Sequence, residues 1–106
     1  MNLPASLYQI FRTPTQVRII EELLKRPNDY FTVSKMAKII NASPSAVSLR
    51  VERLGKLGIV RFVGSSEKAK IFKLNTDSPI VKALLEFAEK LEKVGGTSKE
   101  KLVTHT

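Results

Sequence analysis

The chain has 106 residues, 42% of them hydrophobic, and its formal net charge is +8 at pH 7. This length and hydrophobicity suit one small globular domain, and no apolar run approaches the roughly 20 residues that cross a membrane, so we expect a cytoplasmic protein. The chain has no cysteine, and its one histidine, His105, lies one residue from the end. We therefore expect neither a disulfide framework nor a thiolate metal site, and we predict no cofactor.

Three predicted helices begin with a hydroxyl residue followed by proline: Thr13-Pro14, Ser43-Pro44 and Ser78-Pro79. The hydroxyl can accept a hydrogen bond from a first-turn amide, and proline at the next position has no amide to leave unpaired. Gln16 stands three residues after Thr13, which is the spacing of a capping box. A short helix near residues 3–11 precedes this start, and a helix over 14–26 follows it. The expected buried stripe of the second helix is Val17, Ile20, Leu23 and Leu24.

A short β-prone piece at 30–33 comes next, and Ser34 is placed to cap the helix after it. That helix is expected to bury Met36, Ala37 and Ile40. A turn at residues 41–43 leads to a third helix at 44–57, and Gly58 suits the left-handed position that commonly ends a helix. The expected inward stripe of this third helix is Val47, Val51 and Leu54.

Two strand candidates, 59–63 and 70–74, follow the third helix and are joined by a loop with hairpin composition. Three of their residues are expected to close the hairpin over the helices as part of the core: Phe62, Phe72 and Leu74. The last helix is predicted over residues 79–94, where the pair Gly95-Gly96 is expected to stop it.

Three helices followed by a β-hairpin predict a winged helix-turn-helix, a mainly α fold of the α+β class with a small hairpin. The terminal helices are expected to serve dimerisation. We divide the chain into an N-terminal helix at 1–13, a winged domain at 14–76, a C-terminal helix at 77–94 and a disordered tail at 95–106.

The positive charge is concentrated in the middle of the chain. Between residues 35 and 73, nine lysines and arginines are opposed by two glutamates, so this segment carries +7 of the total charge of +8. A charge needed only for solubility would be spread over the chain, whereas a concentrated one is typical of a surface that binds a polyanion.

The third helix, with its apolar stripe turned inward, has a polar outer face with small residues near its start and arginines further along. This arrangement suits a helix that enters a DNA major groove, where arginine can reach guanine edges and leucine a thymine methyl group. The candidate DNA-binding residues of the helix are Ser43, Ser45, Ala46, Ser48, Leu49, Arg50 and Arg53. Contacts of the hairpin with phosphates or the minor groove would position the protein without reading sequence. The candidates there are Arg61, Lys68 and Lys70.

The stretch SPSAVSLRVERLGKLGIV at residues 43–60 is the most specific pattern in the chain. With its flanks, over residues 14–74, it resembles the winged-helix transcription regulators of the ArsR/MarR type, above all small DNA-binding proteins of archaea and their viruses or plasmids. The resemblance implies a homodimer on a pseudo-palindromic operator, with the residues just named at recognition-helix and wing positions. Metal-sensing members use cysteine or histidine ligands, so this chain is not expected to sense a metal.

The last helix carries an apolar seam with heptad spacing: Ile80, Leu84, Phe87, Leu91 and Val94. A second apolar line lies beside it: Val81, Leu85 and Ala88. One line can cover the domain and the other needs a partner, so we expect pairing with a second chain; the alternative is that the helix packs only on its own domain. The expected interface residues are Leu3, Leu7, Ile80, Leu84, Phe87 and Leu91.

We therefore predict a sequence-specific, homodimeric transcription regulator that acts as a repressor on double-stranded DNA. Its helix at 44–57 would enter the major groove, and its wing at 64–70 would lie on the backbone or in the minor groove. Two alternatives remain open: a winged-helix adaptor that binds a protein of the transcription machinery, and a plasmid- or virus-encoded replication or partition factor. The sequence has no nucleophilic cysteine, Gly-rich phosphate loop or ligand cluster, so we do not expect an enzyme.

Overall fold

The computed structural model describes the backbone of residues 7–65 and 70–105, and the side chains of 7–64 and 70–94. In chain order the elements are α1 (Leu7–Ile10), α2 (Pro14–Lys25), β1 (Phe31–Thr32), α3 (Val33–Ile40), α4 (Pro44–Lys56), β2 (Val60–Ser65), β3 (Lys70–Leu74) and α5 (Pro79–His105). The predicted winged helix-turn-helix is confirmed, because within these residues five helices pack with a three-stranded antiparallel sheet.

Hydroxyl side chains cap the helices of the winged domain. At α2 and α4, Thr13 and Ser43 each accept a hydrogen bond from the amide three residues on, at 3.1 and 3.2 Å. The cap of α3 is Thr32 and not the predicted Ser34. A capping residue needs an extended backbone, and Thr32 has one because it ends β1; the chain turns directly into α3, so Ser34 falls within its first turn.

The sheet has the order β1-β3-β2, so the β2-β3 hairpin pairs with the short β1 along its inner edge. Phe31, Phe72 and Phe62 stand opposite one another across the three strands. The rings of Phe31 and Phe72 are stacked with centroids 6.0 Å apart, and Phe62 meets Phe72 edge-on at 6.4 Å. This row of rings joins the hairpin to the helical core.

One hydrophobic core lies between the helices and the inner face of the sheet. The predicted stripe of α2 is wrong in part: Ile19 is fully buried, whereas Val17 and Leu24 are only half-buried. The physical reason is that α2 packs against α3 and α4 on one side, while Val17 and Leu24 line a groove beside α5. The inner residues predicted for α3 and α4 are buried as expected.

Phe62 is not a core residue, contrary to the prediction for the hairpin. It is 42% exposed, whereas Phe72 and Leu74 are fully buried. Phe62 comes just before a β-bulge in the hairpin, and the next two residues, Val63 and Gly64, are also exposed. Its ring lies against Gly55 in the last turn of α4 and meets Phe72 edge-on, and the rest of the side chain is open to solvent.

Helix α5 runs from Pro79 to His105, which differs from the predicted end near Val94 and the predicted disordered tail. A glycine in a helix interior costs about 1 kcal/mol relative to alanine, so the pair Gly95-Gly96 weakens the helix without forbidding it. The residues that follow include lysine, glutamate and leucine, all of which favour helix.

Gln16 does not close the predicted capping box with its side chain. It is fully buried, and its Nε2 donates to the carbonyl oxygens of Gln9 at 2.8 Å and Ile10 at 2.7 Å. The last carbonyls of a helix have no partner within the helix, so Gln16 satisfies the end of α1 and ties it to the start of α2. Its Oε1 is buried and has no donor among the described residues.

We expect Gln16→Glu to lower the free energy of unfolding by about 3 kcal/mol at neutral pH, because a buried carboxylate would face two carbonyl oxygens. The loss should shrink in acid, where a protonated carboxyl can donate to one of them. Denaturant titrations across pH measure both effects. Asn28→Asp makes the same amide-to-carboxylate change at an exposed site and should alter stability little. Equal stability of Gln16→Glu and the parent at neutral pH would show that the hydrogen bonds of Gln16 to the end of α1 do not stabilise the fold.

Candidate nucleic-acid interface

Helix α4 presents a broad exposed face opposite its buried stripe. The predicted residues that are exposed are Ser43, Ser45, Ser48, Leu49 and Arg53, and those that are half-buried at the borders are Ala46 and Arg50. Leu49 lies in the middle of this face and is 46% exposed. Small side chains at the N-terminal end leave the backbone of α4 accessible, so the helix can approach a groove closely.

The first turn of α4 is organised by its serines. The Oγ of Ser43 accepts from the amide of Ala46 and lies 3.4 Å from the Oγ of Ser45. Ser43 therefore has a structural role as the cap, in addition to its exposed position. Ser45 and Ser48 have exposed hydroxyls on the next positions of the same face.

The two arginines of α4 have different surroundings. Arg53 is exposed, whereas Arg50 is half-buried and its Nη1 is buried without an acceptor among the described residues. A buried guanidinium nitrogen without an acceptor is unfavourable, so Arg50 is the more enclosed of the two arginines but gains no hydrogen bond at this nitrogen within the described residues. Of the two, Arg53 is the one that is free to extend toward a ligand.

The wing candidates lie at different heights on the hairpin. Arg61, on β2, pairs with Asp77 at 3.4 Å, and both side chains are exposed, so the pair contributes little to stability. Lys70 begins β3, and its Nζ lies 5.6 Å from the ring centroid of Phe62. Lys68 lies outside the described residues.

Two lysines of α3 extend the basic surface, although the sequence analysis assigned them no site. Lys35 and Lys38 are exposed one helical turn apart. The Nζ of Lys35 donates to the carbonyl oxygen of Tyr30 at 3.2 Å and lies 4.9 Å from the ring centroid of Phe31. The signal was present in the charge concentration, but only the fold brings α3 alongside α4.

A second surface, the apolar groove, lies between α2 and α5 and has a volume of about 850 Å³. It is lined by Phe11, Val17, Ile20, Glu21, Leu24, Lys25, Leu84, Phe87, Ala88, Leu91 and Glu92. Its α5 side carries Phe87 and Leu91, which are 57% and 55% exposed. Such large exposed side chains along one helix are unusual for a monomer and typical of an interaction surface.

The predicted dimer residues fall into three groups. Leu84 is 9% exposed and Ile80 is half-buried, and both pack on the chain's own core. Phe87, Leu91 and Leu7 of α1 are exposed. Leu3 lies outside the described residues.

Comparison with solved structures gives three informative similarities. The chain superposes on an antimony-specific transcriptional repressor, AntR, with a TM-score of 0.65 and 21% identity, over 86% of this chain and 78% of that one. HlyU from Vibrio cholerae N16961 gives 0.61 and 21%, over 80% and 83%. The adhesin competence repressor AdcR from Streptococcus pyogenes gives 0.63 and 17%, over 89% and 66%. The chain shares the fold of these proteins. Neither the protein-family models nor the curated protein sequences contain a match.

Within residues 7–65 and 70–105, no helix is long and apolar enough to cross a membrane. Among the side chains of residues 7–64 and 70–94, no three histidines, cysteines, aspartates or glutamates come together as they would around a metal ion.

Proposed function

We propose that this protein is a sequence-specific regulator of transcription that binds duplex DNA as a homodimer and represses by occupying its operator. The observation that carries the proposal is the exposed face of α4. It has small side chains at its leading end and an extended arginine beyond them, on a fold shared with transcriptional repressors. In this proposal α4 enters the major groove, and the wing contacts the backbone or the minor groove.

Cations on three neighbouring elements support this docking. Arg53 of α4, Lys35 and Lys38 of α3, and Lys70 of the wing are all exposed, and α4 packs against both α3 and the first strand of the hairpin. In a helix-turn-helix the first helix crosses the DNA backbone, so Lys35 and Lys38 would contact phosphates. Together the cations of these three elements would follow one DNA strand across the major groove that α4 occupies.

The apolar groove supports the dimer. Phe87 and Leu91 repeat at heptad spacing on α5, and Leu7 and Tyr8 of α1 are also exposed, at 68% and 70%. A second copy would cover these side chains with its own equivalents around a two-fold axis. That axis would place two α4 helices roughly 34 Å apart, one DNA turn, so the operator would have two related half-sites.

Selection of bound sequences from random duplex DNA tests the proposal directly. A palindromic consensus with half-sites one turn apart is the expected result. Recovery without a consensus would point to a general architectural role on DNA. No recovery above a no-protein control would reject DNA binding and favour the adaptor alternative, in which the same basic surface docks a protein.

We expect Lys70→Ala to weaken binding to all duplex sequences alike and to reduce the slope of log affinity against log salt by about one, because Lys70 would contact a phosphate.

Arg53→Ala should instead reduce affinity about tenfold to a hundredfold and relax the preference at one position, because arginine reads base edges. Titrations of selected and scrambled duplexes at several salt concentrations separate the two behaviours. Lys82→Ala, on the exposed polar side of α5, is the control; an equal effect of all three changes would argue against the placement.

A further inference from the structure

One contact joins the wing to the helix beneath it, and it involves Gly55 in the last turn of α4. A Cβ placed at Gly55 would lie 2.8 Å from Cε2 of Phe62, a separation that real Cβ atoms do not adopt. The edge of the Phe62 ring therefore occupies the space where any other residue at position 55 would carry its side chain. For comparison, no heavy atom of the described residues lies within 4 Å of the corresponding position at Gly64.

The Phe62 ring is also held from two other directions. It meets the fully buried ring of Phe72 edge-on, with an interplanar angle of 67°. The ammonium of Lys70 lies 5.6 Å from its centroid, within the range of an attractive cation–π contact. Phe62 thus links the core, the end of α4 and a wing cation, while 42% of it stays exposed.

The hairpin changes direction just after Phe62. In the ladder Phe62 is opposite Phe72, but Gly64 is opposite Ile71, so Val63 is the extra residue of a β-bulge. A bulge bends its strand and increases the local twist. Phe62 is therefore the last regularly paired residue of β2 before the bulge. A small change in the backbone direction at this residue changes the direction of the whole wing that follows.

We propose that Phe62, seated on Gly55, is a positioning residue that sets the angle between the wing and α4 and holds the Lys70 ammonium beside that helix. The proposal rests on the DNA-binding function above. In it, the contact between Phe62 and Gly55 fixes the spacing between the part of α4 that enters the major groove and the part of the wing that contacts DNA. Glycine at position 55 is then required by the wing and not by the helix.

The Gly55→Ala variant separates positioning from folding. Alanine favours helix over glycine, and the Phe62 ring can move aside, so the melting temperature should be unchanged or raised. Displacement of the ring should reorient the wing, and we expect affinity for a selected duplex to fall about tenfold, as for loss of one good contact. Hydroxyl-radical protection should be lost on the flanks that the wing contacts and kept in the central major groove. Lys82→Ala, on the exposed polar side of α5, should keep affinity within twofold.

Phe62→Leu tests the other side of the contact. It keeps an apolar residue but removes the ring edge and the cation–π face, so it should reproduce the loss of flank protection. The double variant Gly55→Ala with Phe62→Leu should be no worse than the poorer single variant, because both changes act through one contact. Additive losses would overturn the proposal.

A measurement on the free protein keeps this inference distinct from the DNA-binding function. Residual dipolar couplings of backbone amides report the orientation of the hairpin relative to the helices. We expect the hairpin of Gly55→Ala to be reoriented and that of Lys82→Ala to match the parent. An unchanged hairpin in Gly55→Ala overturns the positioning role whether or not the protein binds DNA, whereas failure of the parent to retain any duplex rejects the DNA function alone.

Discussion

Ser48→Glu in α4 is expected to lower affinity for duplex DNA by about 100-fold or more while the protein stays folded, because like-charge juxtaposition costs several kcal/mol. Ser48 is exposed on the flank of the stripe that contains Val47 and Val51, so a larger side chain there can extend into solvent. Glutamate would bring both bulk and a negative charge to the surface that we place against the DNA major groove. Fluorescence anisotropy on a selected duplex gives the affinity, and circular dichroism reports the fold.

The control for this change is Asn28→Glu, which adds the same charge at an exposed position in the connection between α2 and β1. It should lower affinity only through the change in net charge, by a few-fold at moderate salt. Folded Ser48→Glu protein that binds as well as Asn28→Glu would show that α4 does not enter the groove.

Phe87→Glu in α5 has the second large effect that we expect. Phe87 lines the apolar groove and is 57% exposed in one chain, so a charge there is tolerated by the isolated domain but not inside a two-fold interface. The mass in light scattering should fall from twice the 11.8 kDa of the chain to that value. Affinity for a two-half-site operator should fall by about 100-fold or more, because the two half-sites are no longer bound together.

The structure makes Phe87 a better test of the interface than Leu84, the seam residue closest to the core. Leu84 is 9% exposed and packs on the chain's own core, so a charge there would unfold the protein as well as separate a dimer. Lys82→Glu puts a glutamate on the polar side of the same helix and should leave the mass unchanged. If the Phe87→Glu protein kept the mass of the parent, the apolar groove would not be the dimer surface.

Local chemistry made most of the fold predictable from the sequence. The hydroxyl-proline starts at Thr13 and Ser43, and Gly58 with its positive φ of 78°, are decided by one or two neighbouring residues. Periodic apolar residues were enough to identify the buried faces of α3 and α4, because the buried residues of each helix form a single stripe at helical spacing. The concentration of charge between residues 35 and 73 likewise needs no coordinates.

Errors appeared where two elements compete for one residue. The predicted stripe of α2 is wrong in part because this helix contributes residues both to the core beside α4 and to the apolar groove beside α5. Ile19 and not Val17 therefore faces the core. On α5 the heptad seam is divided between the chain's own core and the exposed surface, a division that spacing alone does not reveal. Gln16 has a capping-box spacing, yet its side chain binds carbonyls of α1, which only packing brings within reach.

Reasoning from residues alone was enough to predict the order of the elements, the caps of α2 and α4, and a basic segment with one outward helix face. These follow from backbone preferences and from the periodicity of apolar residues, both of which act over a few residues. Three relations needed the folded chain: Arg53 is exposed while Arg50 is half-buried, α3 brings its lysines beside α4, and Phe62 rests on Gly55. Those relations depend on how close separate elements pack, and that distance is set by the sum of all their side chains.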